Sequence, residues 1–156
     1  MKKNTLQIAV ILVLALALTS PVMAENALRW ASQGDAVTFD PHSANMSPTF
    51  LQLKQVYEPL VHFNWKMEKY PVLAESWNLL NPTTWEFKLR QGVTFHDGTS
   101  LTAEDVAFSI KRAKGPGSDI KEPLKTVKEI EIIDDHTVQI ITNGPNPLLP
   151  DFLTQF

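Results

Sequence analysis

Alternation of apolar and charged side chains is clearest over residues 84–90, where it has the two-residue period of a β-strand. Each apolar position is followed by a charged one, in the order Trp85, Glu86, Phe87, Lys88, Leu89 and Arg90. The pattern predicts a strand with one buried face and one face in water.

Shorter apolar stretches predict further strands. They lie at residues 27–32, 60–65, 76–80, 127–133 and 137–142. Residues 64–70 and 81–83 are predicted turns, and residues 134–136 separate the last two strands, which are therefore expected to form a hairpin. Another tight turn is predicted at residues 96–99, because its Asp-Gly pair tolerates a positive φ.

Two segments combine helical spacing with a start signal. Ser47 followed by Pro48 predicts an N-cap with proline at the first helical position, and this helix is expected to end before Pro59. Thr102 is expected to cap a second helix, with Asp105 at its third position as a variant capping box. With the strands, these helices predict a mixed α/β (α+β) fold.

A third apolar helical face covers residues 148–156 and ends on Phe156. A finished domain usually ends on polar residues that fray. We therefore expect this chain to be one part of a longer protein.

The first 24 residues have the three parts of a secretory signal. Lys2 and Lys3 carry positive charge, residues 8–18 are apolar without interruption, and Val22 and Ala24 place small residues three and one before a cut. The apolar run is shorter than the roughly 20 residues that a membrane span needs. We predict cleavage after Ala24, which leaves a mature domain over residues 25–156.

Cysteine is absent, and the formal net charge is −3. Since a lipoprotein needs a cysteine directly after the cut, where this chain has Glu25, we expect neither a lipid anchor nor disulfides. The basic segments at residues 111–114 and 121–128 are expected to be solvated surfaces. Acidic balance and export together argue against nucleic acid as a partner.

Residues 74–112 contain a run of short motifs in a fixed order. They are Ala74-Glu75-Ser76-Trp77, Trp85-Glu86-Phe87, Gly92-Val93, Phe95-His96-Asp97-Gly98, Leu101-Thr102-Ala103 and Asp105-Val106. This run resembles the signature of the family 5 extracellular solute-binding proteins, which are the peptide-, dipeptide- and nickel-binding components of ABC importers. Phe39-Asp40-Pro41-His42 resembles the opening loop of that family, and the resemblance extends over residues 27–156.

The resemblance implies a two-lobed periplasmic binding protein fold. Family members are several times longer, and their lobes close around the solute. This chain would supply the first strand of one lobe and most of the small β-rich domain attached to it. The implied function is that of a soluble, monomeric periplasmic component, without cofactor or catalysis. It would capture oligopeptides, dipeptides or a similar small solute and deliver them to an ABC permease in the inner membrane.

Two other functions stay open, a secreted hydrolase and a complete short adaptor or chaperone. A hydrolase needs a nucleophile with its base, or a metal cluster. His96 and Asp97 are adjacent in a turn, and Glu86 lies on the wet face of its strand. No two of the four histidines have the i, i+4 spacing of a helical metal site. We therefore expect no catalytic residues and no metal ligands, while a nickel role through a carried chelate stays open because some relatives use one.

The segment at residues 33–46 is the predicted ligand-binding loop. It follows the first predicted strand and is rich in loop-forming side chains, and loops often carry function. Its candidate contacts offer one charge, polar donors and acceptors, and two apolar groups. They are Asp35, Thr38, Phe39, Ser43, Asn45 and Met46. The alternative is an ordinary surface turn.

Overall fold

The computed structural model describes Ala27 and residues 30–155. The chain divides into two compact units, residues 1–31 and residues 32–156, and the helices and strands described belong to the second. The predicted secretory signal and Phe156 lie outside the described residues, as does part of the strand predicted at residues 27–32. Ala27 and residues 30–32 are not in strand conformation.

Helices and strands follow one another along the second unit in a mixed order. The first are helix α1 (Ser47–Leu53), strands β1 (Val61–Phe63) and β2 (Lys69–Pro71), and strands β3 (Ala74–Asn81) and β4 (Thr84–Leu89). They are followed by helix α2 (Ala103–Ala113), a 3₁₀ turn (Glu122–Leu124), strands β5 (Val127–Asp134) and β6 (Thr137–Thr142), and helix α3 (Leu149–Phe152). This mixture of helix and sheet confirms the predicted fold class.

The strands form two antiparallel sheets. Strands β1 and β2 pair as a two-stranded sheet. The larger sheet has the order β3-β4-β6-β5, so the β5–β6 hairpin lies beside the β3–β4 hairpin and strands β3 and β5 are its edges. The hairpin predicted around residues 134–136 is thus confirmed, and the turn predicted at residues 81–83 joins β3 and β4 into a second hairpin.

The hydrophobic core lies on one face of the larger sheet, where α2 packs. Phe87 and Leu89 of β4 are fully buried, as are Val138 and Ile140 of β6. Helix α2 contributes an apolar face that includes Ile110, which is also buried. The alternation predicted for β4 is therefore confirmed, and burial of apolar surface is what holds this part of the chain together.

The start of α2 is fixed by the predicted capping box. The backbone N–H and the hydroxyl of Thr102 both donate to Oδ2 of Asp105, at 2.8 and 2.9 Å. Asp105 also places negative charge at the positive end of the helix dipole. The helix consequently begins at Ala103. It ends at Ala113, and Arg112 lies in its last turn.

The first predicted helix is shorter than expected and starts differently. Met46, not Ser47, is the N-cap, so Pro48 is the second helical residue. Helix α1 ends at Leu53, and a turn replaces its predicted continuation to Pro59. The apolar residues of that continuation are exposed, with Val56 at 50%, so no burial favours extending the helix.

Strand β2 was expected to belong to a turn. Instead it pairs with β1, with Tyr70 opposite His62 and the two rings stacked at 5.8 Å. All three of its residues are exposed. Because no side of this strand is buried, the sequence carries no alternation that could reveal it.

The helical face predicted at residues 148–156 is a single turn among the described residues. Leu149 and Leu153 are fully buried, whereas Leu148 is 56% exposed. None of the helices in the described part of the chain has the length and apolar character that crossing a lipid bilayer requires.

Candidate functional site

Asp40 is the centre of hydrogen bonding within the predicted ligand loop. Its backbone N–H donates to Oγ1 of Thr38 at 3.1 Å, and its backbone carbonyl accepts from the N–H of Ser43 at 3.3 Å. Its carboxylate Oδ1 accepts from the N–H of His42 at 3.0 Å. Thr38 and Ser43 are themselves in contact through their hydroxyl oxygens, 3.2 Å apart. Residues 38–43 therefore form one closed turn.

Arg112 ties this turn to the end of helix α2. Its Nη1 donates to Oδ1 of Asp40 at 2.8 Å, and its Nη2 donates to Oδ2 at 2.5 Å. The same Nη1 lies 2.8 Å from Nδ1 of His42. A guanidinium can only donate, so Nδ1 of His42 accepts and the ring proton is on Nε2. The pair is bidentate, which is the strong geometry for a guanidinium and a carboxylate.

Charge within this cluster is fixed by the same contacts. The hydrogen bond from Arg112 is the main reason that the pKa of Asp40 falls from 3.8 to about 2, and the N–H of His42 adds to it. The hydrogen bond to Asp40 raises the pKa of Arg112. Burial lowers the pKa of His42, and the charge of Arg112 lowers it further. At neutral pH the cluster is therefore an ion pair beside a neutral imidazole.

Four further hydrogen bonds attach the loop to the rest of the second unit. On α1, Oγ1 of the buried Thr49 accepts from the N–H of Val37 at 3.3 Å, and the amide of Gln52 donates to the carbonyl of Gly34 at 3.2 Å. After α1, the hydroxyl of Tyr57 donates to the carbonyl of Phe39 at 3.1 Å. The backbone carbonyl of His42 accepts from the N–H of Asp119 at 2.9 Å. These four hydrogen bonds thus fix the loop against α1, Tyr57 and Asp119.

The six predicted contact residues have different environments. Thr38 and Ser43 are half-buried and shape the loop through the turn around Asp40. Asp35 is exposed, and its carboxylate accepts from the N–H of Ala36 at 2.9 Å. Asn45 is exposed, and Met46 is 51% exposed at the start of α1. Phe39 is 76% exposed although its own carbonyl is held by Tyr57.

An open groove of about 1070 Å³ runs beside the loop. Residues 39–42 form one end of it, α1 and the turn after it form one wall, and α2 forms another. Apolar side chains project along it, with Tyr57, Phe95 and Phe108 exposed by 46%, 45% and 67%. Of the six predicted contact residues, Phe39 is the one that lines this groove.

The sequence did not reveal the role of Asp40, His42 and Arg112. Residues 111–114 are expected to be a solvated surface, and the side chain of Arg112 is indeed 43% exposed, yet its guanidinium also holds Asp40 across 72 positions of sequence. The only signal in the sequence was an Asp-Pro-His turn within the proposed loop. The sequence around this turn does not indicate that an arginine at the end of a distant helix binds Asp40.

The turn at residues 96–99, the groove and the loop differ in the chemical groups that they present. Asp97 accepts from the N–H and the hydroxyl of Thr99 at 2.9 and 2.7 Å, and Gly98 has a φ of 88°, which is the predicted turn. Over residues 27 and 30–155, no group of three or more histidine, aspartate and glutamate side chains is placed to hold a metal ion. The groove and loop offer apolar surface, fixed backbone groups and the charged cluster.

The chain is similar to known proteins both in sequence and in fold. The family model described as "Bacterial extracellular solute-binding proteins, family 5 Middle" matches residues 68–156. The glutathione-binding protein GsiB of Pectobacterium atrosepticum is 32% identical over 136 residues. That match covers 85% of this chain and 26% of the relative.

Two solved structures illustrate the likeness of fold. NikZ from Campylobacter jejuni, in complex with Ni(L-His), matches with a TM-score of 0.71 and 28% identity over 80% of this chain and 25% of that one. OppA from Haemophilus influenzae, in complex with the peptide RPPGFSPFR, matches with a TM-score of 0.69 and 27% identity, covering 75% of this chain and 27% of that one. The chain therefore spans about a quarter of the length of these proteins.

Proposed function

The chain belongs to the family 5 bacterial extracellular solute-binding proteins, and from this we propose that it is part of the substrate-binding component of an ABC importer. Its solute would be an oligopeptide, a dipeptide or a similar small molecule, delivered to a permease in the inner membrane. Two of the relatives compared above support a peptide, since glutathione is a tripeptide and RPPGFSPFR a nonapeptide.

The observation that carries this proposal is the shape of the loop at residues 33–46. Its backbone is held by α1, Tyr57 and Arg112, yet Phe39 stays 76% exposed at the end of the groove. A loop already in its binding conformation loses little entropy when a solute arrives. Fixed polar groups beside apolar surface are what a small-molecule site needs.

The proposed mechanism is reversible capture without catalysis. The relatives compared above are themselves named or described with bound molecules, and GsiB is a binding protein by name. In this mechanism the loop and groove supply one wall of the site, and closure of a second lobe supplies the other. The chain alone is then expected to bind solute only with a dissociation constant on the order of millimolar, because burial of the solute is incomplete.

An NMR titration of the amide-labelled chain tests the proposal. Glutathione, the peptide RPPGFSPFR and Ni(L-His) are added separately, and at least one peptide is expected to shift the signals of residues 38–43 while leaving the β3–β4 turn unchanged. Phe39→Ala should weaken that response. Trp65→Ala is the matched control, since Trp65 is 87% exposed and does not line the groove.

Two results would contradict the proposal. One is that no solute shifts the loop signals at millimolar concentration. The other is submicromolar binding by this chain alone, which would show that no second lobe is needed.

We propose that the protein is located in the periplasm, where it is soluble and monomeric once the secretory signal is cleaved after Ala24. Mass spectrometry of the periplasmic fraction should find a mature protein that begins at Glu25. A chain that keeps residues 1–24 and sediments with membranes would overturn this part of the proposal.

Sequencing of the DNA downstream of codon 156 distinguishes the function in an importer from that of a short adaptor. An open reading frame and neighbouring permease genes are expected for the importer.

A further inference from the structure

Arg112 hydrogen-bonds to the loop from the core-packed helix α2. The helix is fixed at its start by the Thr102–Asp105 box and along its length by buried residues such as Ile110. Its last turn presents the guanidinium to both carboxylate oxygens of Asp40 and to Nδ1 of His42. The helix that packs on the core therefore reaches the loop through the side chain of Arg112.

Asp40 passes this restraint to its neighbours. It is bonded through its N–H to Thr38, through its carbonyl to Ser43 and through its carboxylate to His42. Fixing the carboxylate thus fixes the closed turn from residue 38 to residue 43. Phe39 lies inside that turn, so its direction into the groove depends on the same pair.

We propose that Arg112 is a positioning residue, which holds residues 38–43 in the conformation that receives the solute. This rests on the proposed function, because it assigns the loop to the solute site. Arg112 does not need to touch the solute. A lysine can replace it only in part, because an ammonium is a point charge without the fork of donors that meets both carboxylate oxygens and the imidazole nitrogen.

A purely structural role predicts a different pattern of effects. The side chains of Arg112 and Asp40 are 43% and 33% exposed, and pairs this exposed contribute little to global stability. If Arg112 is a positioning residue, its loss speeds amide exchange in residues 38–43 and leaves exchange in the sheet unchanged. If its role is purely structural, its loss speeds amide exchange in residues 38–43 and in the sheet alike.

Hydrogen exchange of the full chain distinguishes these cases. In Arg112→Ala, the amides of His42 and Ser43 should exchange about tenfold faster than in the unaltered chain, whereas the amides of Phe87 and Ile140 keep their rates. Arg112→Lys should give an intermediate acceleration. Lys111→Ala, which removes the neighbouring exposed cation, should leave every rate unchanged. Asp40→Asn breaks the ion pair from the other side and should reproduce Arg112→Ala.

Solute titration of the same variants supplies the second measurement. The peptide that shifts the loop of the unaltered chain should bind Arg112→Ala about five- to tenfold more weakly, with the thermal midpoint unchanged. Equal acceleration in the loop and the sheet, equal effects of Lys111→Ala, or unchanged loop exchange in both Arg112→Ala and Asp40→Asn would each overturn the proposal. If no solute shifts the loop of the unaltered chain, the proposed function fails, and the exchange rates still decide whether Arg112 positions the turn.

Discussion

The larger sheet with α2 and the loop at residues 33–46 are stabilised in opposite ways. The sheet buries Phe87, Val138 and Ile140 completely and makes its backbone bonds to neighbouring strands. The loop leaves Phe39 and Met46 exposed and depends on side-chain hydrogen bonds and one ion pair. The central apolar side chains of β4 and β6 are thus inside, whereas Phe39 and Met46 of the loop are outside.

This difference means that the contacts that stabilise the fold are not the contacts that shape the proposed binding loop. Burial of apolar area holds the sheet whether or not a solute is present. The loop keeps its apolar groups available, and its shape depends on a few polar contacts that can be altered one at a time. Changes in the sheet should therefore alter the free energy of unfolding, and changes in the loop should alter its local order.

The largest effect is expected for Phe87→Ala in the centre of the sheet. Its side chain is fully buried, and deletion of a buried phenylalanine side chain costs about 3–5 kcal/mol of unfolding free energy. Phe108→Ala is the matched control, because Phe108 is 67% exposed and its loss should change stability by about 0.5 kcal/mol or less. Urea unfolding followed by circular dichroism measures both, and equal losses would contradict the assignment of the core.

A smaller effect is expected at the start of α2. Asp105→Ala removes the acceptor of both Thr102 hydrogen bonds and should cost about 1 kcal/mol of unfolding free energy. Glu104→Ala removes a charge from the same turn without those bonds, and about half that cost is expected. A larger cost for Glu104→Ala in the same urea measurement would refute the capping role of Asp105.

The smallest effect on global stability is expected from titration of Asp40. Because its pKa in the folded chain is about 2 and its ordinary value is 3.8, the ion pair contributes order to the loop above pH 4, and this contribution is lost as the pH falls towards 2. Carboxyl-carbon NMR should give a pKa near 2, and Arg112→Ala should return it towards 3.8.

Lys125→Ala is the control for this titration. Lys125 and Glu122 form an ion pair whose side chains are 64% and 66% exposed, far from Asp40 in sequence. Its loss should leave the titration of Asp40 as it was. An Asp40 that titrates normally in the unaltered chain would show that the bidentate pair does not form in solution.

The sequence predicts most of the sheet region because its information is local. Alternation identifies β4, the Thr102–Asp105 spacing identifies the start of α2, and the turn at residues 134–136 identifies the β5–β6 hairpin. Strand β2 is missed because all its residues are exposed. The length of α1 is overestimated because helical spacing alone does not supply the burial that extends a helix.

The loop region is predicted in place but not in detail. Its composition indicates a loop, and its polar residues suggest contacts with a ligand. Thr38 and Ser43 also bond to each other and to Asp40, which local patterns do not reveal. The pairing of Asp40 with Arg112 depends on how α2 packs on the sheet, and only the folded chain brings these residues together.

Strand β5, an edge of the larger sheet, affects how copies of this protein meet. An unpaired edge is a template on which a second chain can add a strand, the first step towards fibrils. Exposed charges at Lys128, Glu129, Glu131 and Asp134 occupy half of this strand. Charged side chains along an edge strand disfavour its pairing with a second chain. The charges of β5 therefore oppose edge-to-edge pairing of two copies of this sheet.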